Sequence, residues 1–225
     1  YMKYKAIIFD MDGTIVNTEK IWDEATRRLI ESKGVPYTGE LRADLSCRLA
    51  GLATHKSCKV IKDLIQLPHP LEDLIREKTH LAHSLYAEGI EFIEGFHEFH
   101  KKVIEHPLKT AIATSACAKT LSLTDQALDL QRFFGEHLYG ISCVGGICKP
   151  DPAIYLYAAD KLKVHPEYCI AIEDSAHGIA AARSAGMFCI GIKTSKDKNQ
   201  TRDAHITIDS YHDINLEEIL KRAKK

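Results

Sequence analysis

Two carboxylates one residue apart, Asp10 and Asp12, stand where the apolar run Ile7-Ile8-Phe9 stops, and Gly13 and Thr14 follow them. In a strand, alternate side chains point to opposite faces, so both acids reach one side only where the chain bends at Gly13. A pair so placed suits a nucleophile and a proton-transfer partner. Three further stretches fall in the same kind of place: Thr114 at the end of an apolar run, Lys149 just before a helix start, and Glu173-Asp174 after another apolar run. A lone D-x-D is as well explained by a solvated turn, Lys149 by a surface lysine before proline, and Thr114 by a β-branched strand end. Four such coincidences in one chain are not explained that way.

The elements that must carry these residues read as α/β. An opening strand is followed by a helix from Thr18 to about Glu31, with Ile21, Trp22, Ala25, Leu29 and Ile30 at helical spacing and Lys33-Gly34-Val35-Pro36 as its stop. From Leu41 to about Ala87 the pattern is helical throughout, with Thr54 as N-cap of the middle helix and Pro68-His69-Pro70 before the last. The strand and helix rhythm returns after Gly95. It gives a helix ending before Pro107, a strand 110–114, one helix 118–134, a strand 139–143 and a helix capped by Asp151-Pro152. A strand 169–172, a helix 176–185 closed by Gly186, strands 188–192 and 206–208 and a helix 216–223 complete it. The strands are continuously apolar, as in a parallel sheet covered on both faces, where ligands sit at the carboxyl ends. The fold class expected is a doubly wound parallel α/β sheet with an inserted helical domain. Residues 1–16 and 95–225 form the core, and residues 17–94 the insert. The polar run 193–203 reads as a solvated loop.

Composition narrows the partners. With 225 residues, 45% hydrophobic and 27% charged, the chain is long enough to bury a large core. Thirty basic against 31 acidic residues leave a net charge of −1, which offers no general attraction for nucleic acid or an anionic membrane. No apolar run approaches the ~20 residues of a membrane span and no secretory pattern opens the chain, so a cytoplasmic protein is expected. The seven cysteines never form C-x-x-C and read as small hydrophobes. The histidine pairs His80/His83 and His97/His100 lack a third ligand nearby in sequence. A monomer is compatible with all of this.

In order and spacing, Asp10-Met11-Asp12-Gly13-Thr14, Thr114, Lys149-Pro150-Asp151-Pro152 and Glu173-Asp174-Ser175 with Gly178 resemble the four motifs of the haloacid dehalogenase superfamily. The insert resembles its small α-helical cap. The resemblance runs over nearly the whole chain, in the phosphatase and β-phosphoglucomutase-like branch. It implies an α/β core, an aspartyl-phosphate at Asp10, and Asp12 as the acid that protonates the leaving oxygen and then activates water. It also implies Thr114, with Ser115 beside it, on the phosphoryl oxygens, together with backbone N–H groups after Met11, and Lys149 on the nucleophile and phosphoryl group. Asp174, Asp10 and the Asp12 carbonyl would bind metal, with Glu173 a direct or water-mediated ligand. Electrostatics agrees: like charges ~4 Å apart repel by about 4 kcal/mol at an effective dielectric near 20. One lysine cannot offset four carboxylates and a phosphate dianion, so a hard divalent cation is implied, and Mg²⁺ fits best.

The function so read is Mg²⁺-dependent hydrolysis of a small phosphorylated metabolite. The leaving group is open to sugar phosphates, phosphoglycolate and nucleotide-derived monophosphates. The alternative is a β-phosphoglucomutase-like mutase, which typically holds a far phosphate through an arginine in the cap loop after a glycine. Here that stretch is Gly51-Leu52-Ala53-Thr54-His55-Lys56, with His55 or Lys56 as the substitute. A true dehalogenase needs neither Asp12 nor Asp174, and a non-catalytic binding module would not keep every motif residue. Lys20, Trp22, His55 and Lys56 are the candidate substrate-facing residues of the insert. At its second linker Glu94-Gly95 stands where the family usually has Pro-Gly.

Overall fold

The computed structural model describes residues 3–195 and 197–221. Six strands, β1 Ala6–Phe9, β2 Lys109–Ala113, β3 Leu138–Tyr139, β4 Cys169–Glu173, β5 Phe188–Ile192 and β6 Ile206–Ile208, form one sheet in the order β3-β2-β1-β4-β5-β6. Every pairing is parallel. The expected parallel α/β fold is therefore what the chain adopts.

The pleat explains the apolar runs. Along β1, Ile7 and Phe9 enter one buried cluster while Ala6 and Ile8 enter the other. On the first face Phe9 packs edge-on against Phe96, Phe99 and Phe134, the first two of them on α5 Phe96–Ile104 and the third on α7 Gln131–Phe134. On the second face small residues, Ala111, Ala113 and Ala171, admit α8 Ala153–Leu162 and α9 Ala176–Ser184. Aromatic bulk on one side and alanines on the other set how closely each helix layer approaches. β1 lies between β2 and β4, so the carboxyl ends that carry Asp10, Thr114 and Glu173-Asp174 are neighbours.

Between β1 and α5 run α1 Glu19–Ser32, α2 Gly39–Leu49, α3 Thr54–Leu64 and α4 Leu71–Tyr86. They enclose apolar clusters of their own, with Leu29, Ile30, Leu45, Ile61 and Leu74 in one and Ala25, Ala82 and Leu85 in another. Their two connections to the sheet run side by side, Asn17 N–H donating to Glu91 O and Ile93 N–H to Ile15 O. Among the described residues no helix is long and apolar enough to cross a membrane.

Several local expectations are corrected. The helix 118–134 is two, α6 Ala118–Leu128 and α7, because Asp129 turns left-handed at φ 53° and the Asp125 side chain takes the Gln131 N–H. The strand expected over 139–143 ends at Tyr139. At Gly140 the backbone comes so near Ala116 O that a Cβ would sit 2.7 Å away, and residues 141–144 turn 3₁₀. Thr54 is not an N-cap: it is the first residue of α3, and Ala53 precedes it with no side-chain cap. Instead Thr38 caps α2 by accepting from Leu41 N–H. Asp151, expected as the N-cap, accepts from Ala153 N–H two residues ahead of where the helix begins, and Pro152 stands at the N-cap instead of the first helical position. Loop 193–203 is not wholly solvated, since Gln200 and Thr201 are buried. The last helix is α10 Leu216–Lys221, and the expected continuation to 223 lies outside the described residues.

Candidate active site

The loop after β1 is wound around one carbonyl: Met11 O accepts from the N–H groups of Thr14, Ile15 and Val16. Gly13 stands at φ 82°, with its Cα packed so closely on Asp174 that a Cβ would meet Oδ2 at 2.1 Å. Only glycine serves both demands. This turn lays Asp10 and Asp12 beside the end of β4.

Lys149 is the hub, 1% exposed, with Nζ 2.5 Å from Asp10 Oδ1 and 2.6 Å from Glu173 Oε1. Glu173 is wholly buried. Its Oε1 also accepts from Tyr155 Oη at 2.6 Å, and its Oε2 from Ser175 Oγ at 3.3 Å. Gly178 is needed here too, because a Cβ would lie 1.9 Å from Glu173 Oε1. Burial pushes the Asp10 carboxyl up to about 7, Glu173 adding to the rise and Lys149 opposing it. Burial, then Asp10 and Glu173, pushes Asp174 well above the ordinary range. For Lys149 burial works downward, but the two carboxylates outweigh it and hold the ammonium above its usual value.

Asp12 is held differently. Its Oδ1 accepts from Thr18 Oγ1 at 2.5 Å, Trp22 Nε1 at 3.3 Å and Tyr86 Oη at 3.3 Å, two of these donors lying on α1 and α4. Burial raises its carboxyl while those donors pull it back down. Asp12 is thus a carboxyl group with one oxygen anchored by three donors, suited to handling a proton on the other.

Among the described residues one grouping has metal-ligand spacing: carboxylate oxygens of Asp10, Glu173 and Asp174 lie within 4.8 Å of one another. One lysine against these three is a donor set that fits a hard cation, since oxygen ligands and uncompensated negative charge are what Mg²⁺ or Ca²⁺ takes. The Asp12 carboxylate lies outside that grouping. On the anion side, Ser115 Oγ is buried with no partner among the described residues. The buried Thr114 uses its own Oγ1 to accept from Ala116 N–H.

A cavity of about 450 Å³ opens from Asp10, Asp12, Asp174, Thr114 and Ser115 into the helical insert, where Trp22, Ser57 and Lys78 line it. Lys20, His55 and Lys56 do not line it and are exposed. This corrects their expected role: Thr18 at the N-cap of α1, then Trp22 and Thr26 on it, repeat every four residues along the cavity face, and Lys20 is half a turn away. On α3 the inward face is that of Thr54 and Ser57. Lys78 was not legible as a site residue because helical periodicity alone does not fix which face of α4 meets the core.

Burial holds the Lys78 ammonium down at about 8, against an ordinary 10.5. The unfolded chain therefore binds this proton more tightly than the folded one. The cost to the fold is roughly 3 kcal/mol, fully present below pH 8 and fading as pH rises toward 10.5. Lys78→Met should be more stable than wild type at pH 7 by up to about that amount, with the advantage shrinking by pH 10. Urea unfolding at the two pH values measures this, and a pH-independent difference would refute it.

The fold and site define a class: a parallel α/β hydrolase whose carboxylate-rich centre lies at the carboxyl ends of the central strands, under a helical insert. The family model for haloacid dehalogenase-like hydrolases matches residues 7–192, and the chain belongs to that family. The phosphorylated carbohydrates phosphatase of Thermotoga maritima is 33% identical over 183 residues, 81% of this chain and 82% of that one. A fructose-1-phosphate phosphatase of Escherichia coli is 28% identical, over 86% of this chain and 98% of its own. The crystal structure of CbbY from Rhodobacter sphaeroides in complex with phosphate superposes at a TM-score of 0.79, with 25% identity over 97% of this chain and all of that one.

Proposed function

We propose that this chain is a Mg²⁺-dependent phosphatase of small phosphorylated carbohydrates, working through an aspartyl-phosphate. The observation that carries the reading is the junction of Asp10, Glu173 and Asp174 with the single buried Lys149. Residues 1–16 and 95–225 act as the core and residues 17–94 as its cap. The names of the relatives support a phosphorylated sugar as substrate.

Asp10 is the nucleophile. Lys149 engages its Oδ1, and the other oxygen bonds to phosphorus as the ester P–O bond breaks. Asp12 gives its proton to the departing alkoxide, then takes one from the water that hydrolyses the acyl phosphate, so inorganic phosphate leaves and Asp10 is regenerated. Ser115 and Thr114 receive phosphoryl oxygens, and the unpartnered Ser115 hydroxyl supports that assignment. Asp10, Asp174 and the Asp12 carbonyl would hold Mg²⁺, with Glu173, which also positions Lys149, as a direct or water-mediated ligand. When bound, the ion supplies the charge that offsets the phosphoryl group among these acids. The mutase alternative is not favoured: Gly51 to Lys56 has no arginine, and the substitutes His55 and Lys56 do not reach the cavity.

Phosphate release from a panel of sugar phosphates, with Mg²⁺ and with chelator, tests the reading. Turnover is expected to fall ~100-fold or more on chelation, since metal catalysis contributes several kcal/mol. Release that survives chelation would overturn the metal assignment. Conversion between glucose phosphate isomers without phosphate release would overturn the phosphatase itself.

A further inference from the structure

Lys149 is shared between two carboxylates, and one further side chain touches both members of the Lys149–Glu173 pair. Tyr155, in the first turn of α8, is wholly buried. Its Oη donates to Glu173 Oε1 at 2.6 Å, the same oxygen that Lys149 Nζ meets at 2.6 Å. Its ring centroid lies 5.0 Å from that ammonium, within reach of a cation–π contact. In the apolar cluster that Tyr155 shares with Ile154, Ala158 and Ala171, a phenylalanine would fill the same volume, so packing does not account for the hydroxyl. A buried hydroxyl is costly unless it is bonded, and this one spends its proton on Glu173.

Neither Tyr155 nor Glu173 lines the cavity that Asp10 opens into, so the hydroxyl can act on the reaction only through other groups. The ammonium of Lys149 divides itself between Asp10 Oδ1 at 2.5 Å and Glu173 Oε1 at 2.6 Å. Every other donor to Glu173 weakens its pull on that ammonium. Ser175 Oγ gives a long bond to Oε2, at 3.3 Å, and Tyr155 gives a short, charge-assisted one to the very oxygen that competes for the lysine. We infer that Tyr155 is a positioning residue for the nucleophile. Its hydroxyl fixes the Glu173 carboxylate and offsets part of its charge, so that Lys149 stays on Asp10 Oδ1 and the other Asp10 oxygen stays aimed at phosphorus. The inference rests on the phosphatase reading and adds to it a residue that does not touch the substrate.

Tyr155→Phe keeps the ring and removes the hydroxyl. At saturating Mg²⁺ its kcat on a sugar phosphate that wild type hydrolyses should fall about tenfold with KM within about twofold, since misplacing a reacting atom slows the step more than it weakens binding. Orthovanadate, which resembles the phosphoryl group in transit, should bind about tenfold more weakly while inorganic phosphate binds as in wild type, and calorimetry reads both without turnover. In a Glu173→Gln background the amide has no charge with which to draw the ammonium, so adding Tyr155→Phe should change the vanadate Kd by less than about twofold. A Tyr155→Phe enzyme with wild-type kcat and vanadate Kd overturns the inference, whatever its thermal midpoint, and leaves the phosphatase reading intact. So does a loss that persists in Glu173→Gln, or one confined to low Mg²⁺, which would put the effect of the hydroxyl at the metal instead of at Lys149. A wild type that neither releases phosphate nor binds vanadate overturns the phosphatase reading and this inference with it.

Discussion

Asp10→Asn is expected to lose at least about 10⁴-fold in turnover of any phosphate ester while remaining folded, as removal of a covalent nucleophile does elsewhere. The amide keeps an oxygen that can accept from Lys149 Nζ, now 2.5 Å from Asp10 Oδ1, so the geometry at the end of β1 has no reason to change. One negative charge leaves a site where burial drives the carboxyl of Asp174 upward and Asp10 and Glu173 add to the rise. Without metal the variant should therefore be at least as stable as wild type. With Mg²⁺ the order should reverse, because ligand binding stabilises in proportion to affinity and the variant has lost a ligand oxygen. Thermal unfolding with and without Mg²⁺, beside single-turnover phosphate release, separates the two effects. Undiminished turnover in Asp10→Asn would remove Asp10 as nucleophile.

Much of this centre is legible in the sequence because each of its parts ends an apolar run. Phe9, Ala113 and Glu173 are the last residues of three adjacent parallel strands, and a chain that stacks those strands brings Asp10, Thr114 and Asp174 together. The insert is legible as helices but not as a surface. Which face of α1 or α4 meets the core depends on packing between elements far apart in sequence, as when Tyr86 reaches Asp12 across 74 residues. Periodicity alone leaves that phase open, and so Lys20, His55 and Lys56 are chosen for their charge while Lys78 and Ser57 are passed over. The same reason hides Tyr155, an apolar-looking member of α8 whose hydroxyl supports Glu173. It also hides Gln200, which takes the Ala176 N–H at the start of α9 and reaches Cys47 O at 3.4 Å.

Lys149→Met should be the most damaging single change in stability, and it should abolish turnover as well. Among the described residues Lys149 is the one cation paired with a cluster where Asp10, Glu173 and Asp174 lie within 4.8 Å of one another. Taking one partner from a buried ion network leaves the remaining charge without compensation, which typically costs about 3–5 kcal/mol. The loss should grow with pH. With the lysine gone, the Asp10 carboxyl, already at about 7, rises further, so the folded state binds its proton more tightly than the unfolded chain does. Near pH 5 protonation relieves the repulsion, and near pH 8 it cannot. Lys149→Met combined with Glu173→Gln should regain a large part of the stability, because residue 173 then carries no charge while its amide oxygen still accepts from Tyr155 Oη. Turnover should stay absent in the double variant, since neither a methionine nor an amide can hold the nucleophile and the phosphoryl group together. Urea unfolding of the two variants at pH 5 and pH 8 decides it. A single variant as stable as wild type at pH 8 would mean that the three acids are not balanced through Lys149.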